Sequence, residues 1–390
     1  MVKTVFEAVR RSDSVGGSRE QPDERGKMTR ESITSLTLPQ LTQALQAAGQ
    51  PAYRAKQVYG WLHQHQAVCF AQMSNLPKAL QAQLEERYCI DSVSVARKQV
   101  SQDGTVKYLF RLSDGNCVES VVMFYEYGAT ICLSTQVGCR MGCRFCASTQ
   151  AGRVRNLCAG EICAQVYAAQ RDMQQRISHI VLMGIGEPLD NYDNVLAFLR
   201  IITSPEGLCI GMRNISLSTC GLVPGIDRLA QEHLQLTLSI SLHAPNDALR
   251  SSMMPANNRY PVSELLAACR RYQKTTGRRI SFEYSMVKGV NDSERQADEL
   301  AALIRGMGAH VNLIPINPVD GSPYSATDAR NVARFQKLLQ ARGVNATIRR
   351  RLGSDISAAC GQLRREEMQE KKEETTQEPT APSGAAAEKR

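Results

Sequence analysis

Apolar and polar positions alternate along this chain with two different rhythms. Residues 33 to 90 carry helical periodicity: "LPQLTQALQAAG" reads as a short amphipathic helix closed by Gly49, and "RAKQVYGWLHQH" and "SNLPKALQAQLEERY" continue the pattern. This stretch is expected to form a small all-helical module. In "TVKYLFRLSDGNCVESVVMF" two β-rich runs flank Asp114-Gly115, a hairpin signal. Beyond it, short apolar runs alternate with helical stretches: "ATICLST", "SHIVLMG", "RNISLST", "LTLSISL", "RISFEYSM" and "VNLIPIN". Continuous apolar runs predict parallel strands covered by helices. Six strand–helix repeats predict an α/β fold, a partial (β/α)6 barrel with its site at the C-terminal strand ends.

The termini are of another kind. Residues 1–31 are polar and mixed in charge, and are expected to be a disordered extension. The expected division is then a helical accessory domain at 32–92, a β-hairpin extension at 93–127, the barrel at 128–363 and a charged flexible tail at 364–390. No apolar run approaches a membrane span, and the N-terminus has neither a continuous apolar core nor a signal-peptidase site, so a cytoplasmic protein is expected.

Charge narrows the partners. The formal net charge is +9. Residues 1–31 hold seven Lys/Arg against six Asp/Glu, and residues 364–390 six against seven, so the excess belongs to the folded body. A basic body favours a polyanion such as nucleic acid, although mildly basic enzymes are common.

Thirteen cysteines, an odd number at scattered positions, do not suggest a disulfide framework. Three of them crowd "VGCRMGCRFCAST": Cys139, Cys143 and Cys146, separated by three and two residues. Structural zinc prefers four ligands, usually in two distant pairs. Here no partner pair follows at ligand spacing, and Cys158 and Cys163 on an expected helix have poor ligand geometry. Three thiolates suit a [4Fe–4S] cluster that leaves one iron open to a substrate.

This spacing, with Phe145 before the last cysteine and a position after the first barrel strand, resembles the radical S-adenosylmethionine (SAM) superfamily. The resemblance implies that the open iron chelates the amino and carboxyl groups of SAM and that reductive cleavage yields a 5′-deoxyadenosyl radical. Other strand ends offer polar groups for the nucleoside. "VLMGIGEPLDN" has Gly184 and Gly186, which allow close backbone approach, and Glu187, an acceptor. Gly186 and Glu187 resemble the segment that takes the SAM amino group. Ser218 ends the third run, Ser241, Leu242 and His243 the fourth, and Asn317 the sixth. Any one of these could instead cap a helix or satisfy a loop.

The segments "CVESVVMF", "TICLSTQVGCRMGCRFCAS", "GIGEP", "SLSTCG", "SLHAPND", "NLIPINP" and "DISAACGQL" occur in this order. Together they resemble, over about residues 30 to 365, the bacterial dual-specificity methyltransferases that methylate carbon 2 of adenine in 23S rRNA and tRNA. Carbon 2 lies between two ring nitrogens and is electron-poor, so polar transfer from an electrophile should fail where radical addition succeeds. The resemblance implies two SAM molecules per turnover. Cys360 accepts a methyl group, which then becomes a methylene radical that adds to adenine. Cys132 helps remove the carbon-2 proton and closes a Cys132–Cys360 disulfide, reduced for the next cycle. Glu119 matches the family's proton acceptor. The resemblance also implies an electron donor such as flavodoxin or ferredoxin, and a monomer.

From their surroundings alone, Cys132 would be a buried core thiol, Glu119 a strand's solvent-side charge and Cys360 a loop residue. Two rivals stay open: the related branch that methylates carbon 8 of the same rRNA adenosine and confers antibiotic resistance, and a non-catalytic, metal-stabilised RNA-binding protein. Candidate phosphate contacts are Arg349, Arg350 and Arg351, then Lys274, Arg278 and Arg279, with Arg54, Lys56 and Trp61 on the accessory domain; such clusters are often solvated faces. The target adenine must leave its stack, so a flipped base or single-stranded loop is expected. If the basic body carries the RNA contacts, log Kd should rise linearly with log salt in a filter-binding titration, and a flat response would place recognition elsewhere.

Overall fold

The computed structural model describes residues 30–150, 152–316, 323–350, 352–353, 355–356, 363–364 and 367. Asn317, Arg351 and Cys360 lie outside the described residues, as do the N-terminal extension to residue 29 and all the tail beyond 367.

The first body is built from α1 (Leu38–Ala47), α2 (Ala52–His63) and α3 (Lys78–Arg87). Leu41, Leu45, Val58, Leu62, Leu80 and Leu84 recur at helical spacing and close its own core. Helix α1 stops at the expected glycine, where the Gln50 N–H reaches back to the Leu45 carbonyl at 2.9 Å. The module is not wholly helical. Short strands β1 (Glu31–Ser32) and β2 (Tyr88–Cys89) pair in parallel and bring its two ends together.

The second body is an open sheet with the order β14-β13-β12-β11-β10-β9-β6-β5-β4-β3. Its parallel strands are β6 (Gly128–Cys132), β9 (Ile177–Leu182), β10 (Ile215–Thr219), β11 (Thr237–Ser241), β12 (Ile280–Met286), β13 (His310–Pro315) and β14 (Asn345–Ile348). The first six correspond to the six predicted runs. Strand β14 was not anticipated, since "NATI" is short and half polar. Helices α4 (Ala159–Met173), α5 (Tyr192–Ile202), α6 (Val223–Gln231), α7 (Asp247–Met253), α8 (Val262–Thr276), α9 (Glu294–Leu303) and α10 (Ala329–Ala341) occupy the connections.

Three antiparallel strands extend the sheet: β3 (Ser94–Val100), β4 (Val106–Arg111) and β5 (Cys117–Tyr125). The β4–β5 turn contains Asp114-Gly115, as the sequence predicts. A separate two-stranded sheet, β7 (Gln136–Gly138) with β8 (Arg153–Asn156), frames the cysteine loop.

The parallel strands depart from one expectation. Strands β10 to β12 alternate instead of being apolar on both faces. Leu217, Leu238, Ile240, Phe282 and Tyr284 belong to the large core under the helices. Their neighbours Ser216 and Ser239 meet each other at 3.3 Å, and Ser218 and Ser241 at 3.4 Å. Helices cover the outer face only. The inner face encloses a cavity, so polar residues can stand there without being buried unpaired.

The two bodies meet at α4. The Gly160 N–H donates to Ser35 Oγ at 2.9 Å, and His63 Nδ1 is 2.8 Å from the Tyr167 hydroxyl. His63 is buried, its Nε2 lacks a partner among the described residues, and burial lowers its pKa to about 3. It is neutral in the folded state but titrates at its ordinary 6.5 when unfolded. Its contribution is therefore complete above pH 6.5 and is lost as the pH falls toward 3. Thermal melts should show Tm falling through this window. His63→Gln should make that fall shallower, and parallel curves for the two proteins would assign the acid sensitivity to other groups.

Candidate active site

The C-terminal ends of the parallel strands open onto a cavity of about 370 Å³. Cys132, the last residue of β6, stands in its wall beside Val121 and Met123 of β5, 5% exposed. The plain expectation of a buried thiol holds, and the burial is against the cavity.

The cysteine loop leaves β7 at Gly138. Its φ is +78°, and a Cβ there would sit 1.9 Å from the Gly152 carbonyl oxygen, so only glycine fits. This approach lets the Cys139 N–H donate to that same oxygen at 3.0 Å. Cys139, Cys143 and Cys146 all line the cavity. Among the described residues no three Cys, His, Asp or Glu side chains form a group suited to one metal ion. Three thiols lining one cavity are a donor set that suits a [4Fe–4S] cluster, whose ligands bind separate irons. Burial pushes the Cys139 thiol up to about 12 and the Cys143 thiol higher still, so each needs a cationic partner to stand as thiolate.

The turn after β9 is shaped by contact. A Cβ on Gly184 would lie 2.5 Å from the Leu133 carbonyl oxygen. Gly184 thus serves backbone against backbone, while Gly186 makes room for the Gln136 side chain and still faces the cavity. Glu187 also lines it, with both carboxylate oxygens engaged: Oε2 accepts from the Cys220 N–H at 2.8 Å and Oε1 from the Leu189 N–H at 3.0 Å. Burial raises its pKa.

Ser218, Ser241 and His243 reach the cavity as expected. His243 takes a φ of +57°. Its Nδ1 accepts from the Ser285 N–H at 3.0 Å, which leaves the ring proton on Nε2. Burial lowers its pKa to about 3, and its ring meets Phe145 edge to face at 5.0 Å. Leu242 differs from expectation. Its side chain is fully buried in the core, and its backbone does the polar work, with the N–H donating to the Glu283 carbonyl at 3.1 Å. Arg349 and Arg350 join the cavity wall. Lys274, Arg278 and Arg279 sit at the end of α8 and the entrance to β12, at the opposite end of the strands.

Three charged residues escaped the sequence reading. Glu283 lines the cavity and accepts from Asn312 Nδ2 at 2.7 Å. Lys107 and Arg250 are completely buried. Arg250 donates to the carbonyls of Cys220, Ser241 and Leu242 at 2.6, 3.1 and 3.1 Å, and to Asn257 Oδ1 at 3.0 Å. It thereby ties the ends of β10 and β11. A charge inside the strand pattern of "TVKYLF" was the one available signal for Lys107; "NDALRSS" looks like an ordinary helix start.

Comparison with known proteins now bears on this site. Residues 133–301 match the model of the radical SAM superfamily, and residues 32–90 that of the ribosomal RNA large subunit methyltransferase N-terminal domain. The chain is 51% identical over 334 residues to the probable dual-specificity RNA methyltransferase RlmN of Clostridium novyi (strain NT), covering 85% of this chain and 97% of that protein. It is 49% identical to that of Geobacillus kaustophilus (strain HTA426), over 88% of this chain and 94% of the relative. The crystal structure of a radical SAM methyltransferase from Sphaerobacter thermophilus superposes with a TM-score of 0.81 at 48% identity, covering 85% of this chain and 98% of that one.

The chain belongs to the RlmN family of radical SAM methyltransferases.

A radical SAM enzyme uses a [4Fe–4S] cluster and SAM. The RlmN cavity suits both: three thiols at one mouth, and acceptor oxygens at the ends of β9, β10 and β11. Arg250 should be the structural key to those ends. Arg250→Met removes four hydrogen bonds, three of them to strand-end carbonyls, and should cost about 3 kcal/mol or more in urea unfolding. The same variant should weaken equilibrium binding of SAM to the reconstituted protein; undiminished affinity would show that the strand ends organise without it.

Proposed function

We propose that this enzyme methylates carbon 2 of adenosine in 23S rRNA, at the peptidyl-transferase centre, and in tRNA, 3′ of the anticodon. The relatives' name, dual-specificity RNA methyltransferase, supports two RNA substrates. The observation that carries the reading is that Cys132 lines the same cavity as Cys139, Cys143 and Cys146. On this reading a thiol stands beside the place where radical chemistry begins, which a protein that only binds RNA does not require.

The cluster and SAM, when bound, supply a carbon radical and a methyl group. Cys139, Cys143 and Cys146 hold the cluster. Gly186, Glu187, Ser218, Ser241 and His243 bind SAM, with Glu187 accepting from its ammonium and the two serines, one on each of two neighbouring strands, reaching its ribose. Leu242 contributes backbone only, and Asn317, outside the described residues, is assigned here from the sequence. Neutral His243 offers Nε2–H as a donor. Cys360, also outside the described residues, carries the methyl group. Once that carbon is joined to adenine, Cys132 helps remove the carbon-2 proton and, as thiolate, attacks the Cys360 sulfur. The C–S bond breaks, its electron pair leaves with the adenine-bound carbon, which takes a proton to become the methyl group, and a Cys132–Cys360 disulfide is left. That disulfide must be reduced before the next turnover. Arg349 and Arg350 at the cavity wall offer guanidinium groups to RNA phosphates.

Among the described residues no helix is long and apolar enough to cross a membrane. We place the enzyme in the cytoplasm as a monomer, served by a small electron donor such as flavodoxin or ferredoxin.

Peptide mass spectrometry across Cys360, on anaerobically reconstituted protein incubated with SAM and reductant, should find one added methyl group. Cys132→Ala should accumulate a covalent RNA adduct at that residue, because the thiol that releases product is gone. An unmodified Cys360 in protein that still cleaves SAM would overturn the two-cysteine reading. A nucleoside digest should contain 2-methyladenosine, and 8-methyladenosine as sole product would move the chain to the rival branch.

A further inference from the structure

The antiparallel strands ahead of the barrel hold the chain's C-terminal segment at two places. At the β3–β4 turn, Asp103 Oδ2 accepts from the Gly353 N–H at 2.8 Å. Asp355 Oδ2 accepts from the Gln102 N–H at 3.0 Å, and its Oδ1 is hydrogen-bonded by the Ser101 hydroxyl. These bonds lower the pKa of both carboxyls, that of Asp103 to about 2. On β4 and β5, Glu119 Oε1 accepts from the Arg364 N–H at 2.6 Å, while Oε2 lies 3.2 Å from Lys107 Nζ. Leu363 packs, fully buried, between Leu109 and Cys117. Arg111 reaches Glu367 at 2.8 Å.

Glu119 is 3% exposed and Lys107 not at all. Neither is among the residues lining the cavity. They are diagonal neighbours on one face of the hairpin, because Glu119 stands opposite Leu109. A buried pair of this kind often stabilises no better than apolar side chains of the same volume. What it can do is fix position: the ammonium holds the carboxylate, and the carboxylate holds a backbone N–H. Cys360 lies in sequence between Ile356 and Leu363, hence between the two points of attachment.

We propose that β3, β4 and β5 form a two-point clamp on the segment that carries Cys360, and that Glu119, held by Lys107, is a positioning residue for this segment and not the proton acceptor of the reaction. The proposal rests on the reading of Cys360 as methyl carrier only for its catalytic consequence; the clamp itself is measurable without it.

The test uses the full chain and three variants, with hydrogen–deuterium exchange of peptides over 350–367, Cys360 methylation by mass spectrometry and RNA methylation rates. Glu119→Ala should raise exchange of the peptide ending at Glu367 by about tenfold or more and reduce Cys360 methylation in parallel. The neutral pair Lys107→Met with Glu119→Gln keeps an amide oxygen for the Arg364 N–H and should restore both protection and RNA methylation relative to Glu119→Ala. Asp355→Ala, at the exposed attachment, should fold normally and raise exchange around residues 352–356. Unchanged exchange in Glu119→Ala or in Asp355→Ala would overturn the clamp. Restored protection in the neutral pair with RNA methylation still abolished would return Glu119 to the role of proton acceptor. An unmethylated Cys360 in wild-type protein with normal protection would sink the methyl-carrier reading and leave the clamp standing.

Discussion

A parallel sheet covered by helices on one face only must satisfy its other face by different means. In this protein the means is an enclosed, polar interior. Serines on β10 and β11 meet one another across the strands, and Glu283 of β12 is held by Asn312 of β13. Because that face need not exclude water, it can supply hydroxyls and carboxylates to a nucleoside. The same one-sidedness leaves the strand ends without a packed layer above them. Their arrangement then depends on backbone ties, and the buried guanidinium of Arg250 makes three of them.

The strand ends show how few side chains are spared for chemistry. Glu187 looks from its sequence like a ligand-binding carboxylate, yet it also joins the β9 turn to the start of the β10 loop. His243 is bound through Nδ1 to the next strand's backbone, and its left-handed conformation is held by that bond and by Phe145. Such residues do two jobs at once, and the structural one gives the binding one its precision. Glycines at Gly138 and Gly184 belong to the same logic: each lets two backbones touch where a methyl group would force them apart.

The accessory strands extend this reasoning beyond the barrel. Strands β3 to β5 continue the sheet on the side of Cys132, and their inner face carries Cys117, Glu119, Val121 and Met123 toward the cavity side. The three strands together therefore provide part of the cavity wall and both attachments of the C-terminal segment.

Much of this was legible in the residues themselves. Six parallel strands announce themselves as apolar runs, Asp114-Gly115 as a turn, and three cysteines at fixed spacing as a group that lines one cavity, because each is encoded within a few consecutive positions. The cavity-lining Ser218, Ser241 and Glu187 were legible for the same reason, sitting directly after strands. Strand β14 was not, since four half-polar residues take up strand structure only through pairing with β13. The face of Leu242, the burial of Lys107 against Glu119 and the four hydrogen bonds of Arg250 were beyond reach as well. Each depends on how separate elements pack against one another, and local pattern carries no information about which group across that packing will neutralise a charge. The order of elements and the grouping of Cys139, Cys143 and Cys146 follow from the chain alone; which charges are buried, and what they hold in place, follows only from the packing that removes them from water.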